Sequence, residues 1–85
     1  MLTVKYFSTV WCGPCKAFSP IFDKVMGELG VNYSKIDAEL SRDLATQYSI
    51  SGVPTLIFEK EGTIVHRYTG VMSRGQLEAT VNRFR

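Results

Sequence analysis

The chain has 85 residues, a formal net charge of +2 and an apolar fraction of 45 %. That is one domain, residues 1–85, whose core is limited by the roughly 60–65 % of unfolded surface that so short a chain buries. Interleaved charges exclude a basic nucleic-acid stripe, no apolar run reaches the roughly 20 residues of a helical membrane span, and no secretory signal opens the chain, so a cytoplasmic monomer without nucleic-acid or membrane partners is expected.

Leu2 to Phe7, rich in β-branched and aromatic residues, predicts a strand, and Ser8-Thr9-Val10 a loop. From Cys15 onward Phe18, Ile21, Phe22, Val25, Met26 and Leu29 recur at helical spacing, with Gly30 as the stop. Pro20 lies inside this helix and predicts a kink, because it removes one backbone hydrogen bond and crowds the carbonyl of Lys16. Val31 to Asp37 predicts a second strand. Ser41 opens a short helix expected to turn Leu44, Ala45 and Tyr48 inward. After a turn at Ser51-Gly52-Val53-Pro54, the strands Thr55–Glu59 and Thr63–Thr69 form a hairpin through Lys60-Glu61-Gly62. In the last helix Ser73 and Gln76 have capping-box spacing, Met72 and Leu77 have staple spacing, and Leu77, Val81 and Phe84 form the buried stripe. The order β-α-β-α-β-β-α predicts an α/β fold: a βαβ unit with a parallel strand pair, then an antiparallel hairpin and a helix.

Both cysteines lie in Trp11-Cys12-Gly13-Pro14-Cys15, where the first strand hands over to the first helix. A helix start offers unpaired N–H groups and the positive end of the macrodipole. Both favour a thiolate, the form in which cysteine is a nucleophile. Gly13-Pro14 is a short, stiff spacer, and Pro14 falls where its missing N–H costs little. The competing reading, a metal site, has only His66 to add as a soft or imidazole ligand, one short of a closed tetrahedral set. The pair is therefore read as a dithiol/disulfide exchange centre, with no metal. His66 is placed on a strand surface without a role.

Over nearly its whole length the sequence resembles the thioredoxin family. The resemblance rests on Trp11-Cys12-Gly13-Pro14-Cys15-Lys16, on Pro20, on Gly52-Val53-Pro54-Thr55, on Gly62, and on Thr69-Gly70-Val71 followed by Ser73, Gly75, Gln76 and Leu77. It implies a minimal thioredoxin fold, a four-stranded mixed sheet in the order 2-1-3-4 with the first and last helices on one face and the middle helix on the other. It implies a protein-disulfide reductase in which Cys12 attacks a substrate disulfide and Cys15 resolves the mixed disulfide. Pro54 would be cis and face the dithiol. Trp11, the Val53 backbone, Pro54 and Gly70 would receive an extended substrate peptide by strand addition. The implied partners are disulfide-containing proteins, ribonucleotide reductase among them, and a thioredoxin-reductase-like electron donor, with no bound cofactor. Two alternatives stand beside this: a glutaredoxin-like reductant fed by glutathione, and a binding subunit whose redox activity is incidental.

Two departures from the family pattern carry expectations. The chain starts at what matches the family's second strand, so the face carrying Thr3, Lys5, Asn32 and Ser34 should be partly solvated at the end away from Cys12. Tyr6 stands where most members have a buried aspartate six positions before the first cysteine. With an ordinary pKa of about 10 a tyrosine is no base at neutral pH. Lys35, which usually neighbours that aspartate, is then expected to lack a partner and to add to the positive field around the sulfurs. Tyr6 and Lys35 should face the same side, beneath the redox pair.

Overall fold

β1 (Leu2–Ser8) is flanked on both sides, parallel to β2 (Asn32–Asp37) and antiparallel to β3 (Thr55–Lys60), and β4 (Thr63–Thr69) completes a sheet ordered β2-β1-β3-β4. This is a computed structural model that describes residues 1–85. Because side chains alternate along a strand, Leu2, Val4 and Tyr6 point to one face, joined there by Leu56 and Phe58 of β3. Against them lie Phe18, Phe22, Val25 and Met26 of α1 (Gly13–Leu29) and Leu77 and Val81 of α3 (Arg74–Phe84); with Met72 they form one buried cluster of 12 residues. Each such side chain contributes roughly 1.5–3 kcal/mol by leaving water. The helix period is thus what places α1 and α3 together on one face, as the family resemblance implies.

The ends of these elements are set by local chemistry. Gly30 closes α1 at φ 65°, a left-handed conformation that glycine adopts without steric cost. Glu61 and Gly62, at φ 52° and 79°, form the two-residue turn between Lys60 and Thr63, whose double positive φ matches the twist of a tight hairpin. The α3 capping box is complete: Ser73 Oγ accepts from Gln76 N–H at 3.1 Å and Gln76 Oε1 accepts from Ser73 N–H at 2.9 Å. Ser73→Ala is expected to cost about 1 kcal/mol, visible as a lower urea midpoint at unchanged slope, while Ser73→Asp, which keeps the acceptor, stays close to wild type.

On the opposite face the short α2 (Arg42–Gln47) buries none of its residues. Leu44, expected inward, is 38 % exposed. The anchor is instead Tyr48 at the C-cap, whose ring lies 5.6 Å from that of Phe7 and whose hydroxyl donates to Glu59 Oε2 at 2.9 Å. Glu59 is buried and also binds the Lys5 ammonium. That contact holds the Lys5 amine above the usual lysine range. Thr3 and Lys5 are half-buried and Asn32 and Ser34 exposed, so this end of the face is partly solvated, as expected. Nothing local to Lys5 points to this partner, because Glu59 lies 54 residues away on β3.

Candidate active site

The first turn of α1 is built on Cys12. Its backbone is extended (φ −79°, ψ 109°), its N–H donates to Thr9 O at 3.3 Å, and its Sγ accepts from Cys15 N–H at 3.1 Å. Cys12 is therefore the N-cap, with sulfur in the position that a serine or aspartate oxygen takes in most helices. Gly13 and Pro14 are the first two helical residues, and no acidic side chain occupies the first turn. The helix field and the Cys15 amide thus act on Cys12 Sγ without a competing negative charge, and both stabilise an anion there. Cys12 and Cys15 are joined as a disulfide, with their Cα atoms 5.2 Å apart. Both are nearly inaccessible, 4 % and 2 % exposed, whereas Trp11 beside them is 66 % exposed.

The loop before β3 and the loop after β4 meet next to each other. The Val53–Pro54 bond is cis. Gly70 N–H donates to Pro54 O at 2.8 Å, and Thr55 Oγ1 binds Gly52 O at 2.6 Å and Thr69 Oγ1 at 3.2 Å. Gly70 holds φ at 122°, a conformation that disfavours any side chain. The N–H and C=O of Val53 have no hydrogen-bond partner, which leaves one residue with both main-chain groups free. Val71 and Met72 then line an apolar depression with Pro14, Ala17, Phe18 and Ile21, so this loop borders the first turns of α1.

Beneath the pair Tyr6 is fully buried, its hydroxyl donating to Cys15 O at 3.2 Å and sharing a 2.9 Å hydrogen bond with Ser19 Oγ. Burial raises its pKa above the usual tyrosine value, opposed by Ser19 and the Lys35 charge. Lys35 pairs with Tyr6 across β1 and β2, as expected, but it does not lack a partner: its Nζ donates to Asp23 Oδ2 of α1 at 3.0 Å. The carboxylate that balances the lysine comes from the helix rather than from β1. Ser19 and Asp23 were missed by the sequence reading. Their signal is the spacing Cys15, Ser19, Asp23, a polar line at i, i+4 and i+8 beside the apolar stripe of α1. His66, expected on the surface, is half-buried, its ring stacked 4.8 Å from that of Phe84.

Because the folded protein holds the Tyr6 proton to higher pH than the unfolded chain, stability is complete below about pH 10 and declines as pH rises toward the folded value. Lys5 acts in the same direction. Tyr6→Phe is expected to lose about 1 kcal/mol at neutral pH and to flatten the decline above about pH 10, as measured by urea denaturation of the oxidised protein.

The family model described as Thioredoxin matches residues 1–83. This chain belongs to the thioredoxin family. It is 37 % identical over 79 residues to mitochondrial thioredoxin of Bos taurus, covering 91 % of this chain and 48 % of that protein. It is 37 % identical over 78 residues to thioredoxin of Chlamydia trachomatis, covering 91 % and 76 %. The chain thus spans about half the length of the bovine relative. Among solved structures, Fasciola hepatica thioredoxin superposes with a TM-score of 0.92 at 32 % identity, over 99 % of this chain and 81 % of the other. The β2-β1-β3-β4 sheet with α1 and α3 on one face is therefore the thioredoxin fold.

Proposed function

We propose that this member of the thioredoxin family is a thiol–disulfide oxidoreductase that reduces protein disulfides through Cys12 and Cys15. The observation that carries the reading is Cys12 Sγ at the N-cap of α1, receiving the Cys15 amide at 3.1 Å, with the Cys15 sulfur within bonding reach. Starting from the dithiol, the Cys12 thiolate attacks one sulfur of a substrate disulfide. The S–S bond of the substrate breaks, one substrate sulfur leaves as thiolate, and a mixed disulfide forms on Cys12. Cys15, deprotonated by solvent or by the departing thiolate, attacks Cys12 Sγ, releases the second substrate thiolate and closes the Cys12–Cys15 bond. Two electrons pass to the substrate, and an external dithiol donor returns them.

The free N–H and C=O of Val53 support its role as the rung on which an extended substrate segment adds, next to Pro54 and Gly70. Trp11, largely exposed at the rim, is the platform for that segment, and Gly13 and Pro14 shape the turn that presents Cys12. Lys35, neutralised by Asp23, is assigned to holding α1 against β2 rather than to the sulfur field. The partners are disulfide-bearing proteins, with ribonucleotide reductase an assay target by family analogy, and a thioredoxin-reductase-like donor. A reducing compartment such as the cytoplasm suits this cycle, since the dithiol must be regenerated. No helix is long and apolar enough to cross a membrane.

The test is turnover of insulin disulfides with two alternative electron sources. A flavin-dependent thioredoxin reductase is expected to sustain turnover and glutathione alone to do so poorly. Efficient turnover with glutathione alone would move the protein to the glutaredoxin-like reading, and no turnover with either would favour a binding subunit.

A further inference from the structure

Thr9 is 7 % exposed, and its Oγ1 is buried with no hydrogen-bond partner in the protein. A buried hydroxyl without a partner carries a desolvation cost that nothing offsets, so it is a group with an unspent donor. Its place in the fold is specific. Thr9 follows β1 directly, and its carbonyl accepts from Cys12 N–H at 3.3 Å. Thr9 lies two residues beyond the last antiparallel pair, Phe7 with Thr55, where the chain leaves the sheet for the redox turn. It is therefore held against the redox turn by that hydrogen bond from Cys12, with its side chain buried.

Three other donors near the pair are committed. The Cys15 amide is given to Cys12 Sγ, the Tyr6 hydroxyl to Cys15 O, and the Lys35 ammonium to Asp23. We propose that Thr9 is a positioning residue for Cys15: its hydroxyl donates to the sulfur freed at residue 15 when the Cys12–Cys15 bond opens. Opening takes two electrons from the external dithiol, which becomes a disulfide. Cys12 and Cys15 become thiols or thiolates, and the thiolate at residue 15 then has a donor in place of the carboxylate that Tyr6 has displaced. The hydroxyl is unpaired in the disulfide state and paired in the reduced state, so it favours reduction and lowers the pH at which Cys15 ionises. The proposal rests on the exchange reading above.

Thr9→Val keeps the shape and removes the hydroxyl; Thr9→Ser keeps the hydroxyl; Thr9→Ala serves if the valine does not fit. Full-length proteins are equilibrated with glutathione redox buffers. Thr9→Val is expected to shift the equilibrium about tenfold toward the disulfide, which is about 30 mV more negative for a two-electron couple, and Thr9→Ser to stay with wild type. In a Cys12→Ala background, thiolate absorbance is expected to show Cys15 ionising at higher pH when Thr9 is valine. An unchanged equilibrium and an unchanged ionisation in Thr9→Val overturn the proposal, and so does an equal shift in Thr9→Ser, which would mark packing alone. If the wild type itself forms no reversible Cys12–Cys15 bond in these buffers, the exchange reading fails and takes the proposal with it. Normal cycling of the wild type with an unresponsive Thr9→Val removes the Thr9 role alone.

Discussion

Cys12→Ser is expected to reduce insulin-disulfide turnover to background, a loss of more than about 10³-fold. Serine supplies no thiolate, and its hydroxyl is far too weak an acid to ionise at neutral pH. The substitution separates chemistry from folding, because serine is a preferred N-cap residue and its oxygen can accept the Cys15 N–H that Cys12 Sγ accepts now. The stability of Cys12→Ser is therefore expected to match that of the reduced wild type, a comparison that leaves the lost cross-link out of account. Cys15→Ser is expected to behave differently: attack by Cys12 still occurs, resolution does not, and the mixed disulfide accumulates. Non-reducing electrophoresis with a disulfide substrate reads both outcomes. Adducts on Cys12→Ser, or none on Cys15→Ser, would reverse the assignment of attacking and resolving sulfurs.

Phe22→Ala should have the largest effect on stability. Phe22 is fully buried, its ring 4.8 Å from that of Tyr6, 6.1 Å from Phe18 and 5.4 Å from Tyr33 in an edge-on arrangement. Truncation removes the contact that ties α1 to both β1 and the edge strand β2, at a cost of about 3–5 kcal/mol. For a domain of this size each kcal/mol lowers Tm by roughly 4–8 °C, so a fall of at least about 12 °C is expected by circular dichroism of the oxidised protein. Total stabilities begin at about 5 kcal/mol, so the variant can be largely unfolded at assay temperature. Phe22→Leu retains most of the volume and should lose much less. A Tm near wild type for Phe22→Ala would mean that α1 is not packed on the sheet through this ring.

Most of the architecture was legible because its signals are local. The apolar period of α1, its stop at Gly30, the capping box at Ser73 and Gln76, and the hairpin connection within Lys60-Glu61-Gly62 each depend on residues within a few positions of one another. The errors lie where distant segments decide. Leu44 sits at helical spacing, yet α2 is held by Tyr48 and leaves Leu44 exposed. Lys35 was expected to stand alone once Tyr6 replaced the usual aspartate, and Asp23, contributed by α1, balances it. The burial of Glu59 follows from its position on the central strand β3, with Lys5 and Tyr48 reaching it from β1 and α2.

The placement of both cysteines in the first turn of a helix was determined by the sequence alone. A strand pattern ends at Phe7, four residues before Trp11, and a helical pattern begins at Cys15, and helix-end amides act only over that turn. The tertiary structure decided what surrounds those sulfurs: the Tyr6 hydroxyl on the Cys15 carbonyl, the Val53–Pro54 and Gly70 loops joined at 2.8 Å, and the Thr9 hydroxyl closed off from every partner. Hydrogen bonding and burial at these positions depend on which faces meet across gaps of 9 to 16 residues or more, and periodicity along the chain carries no information about that.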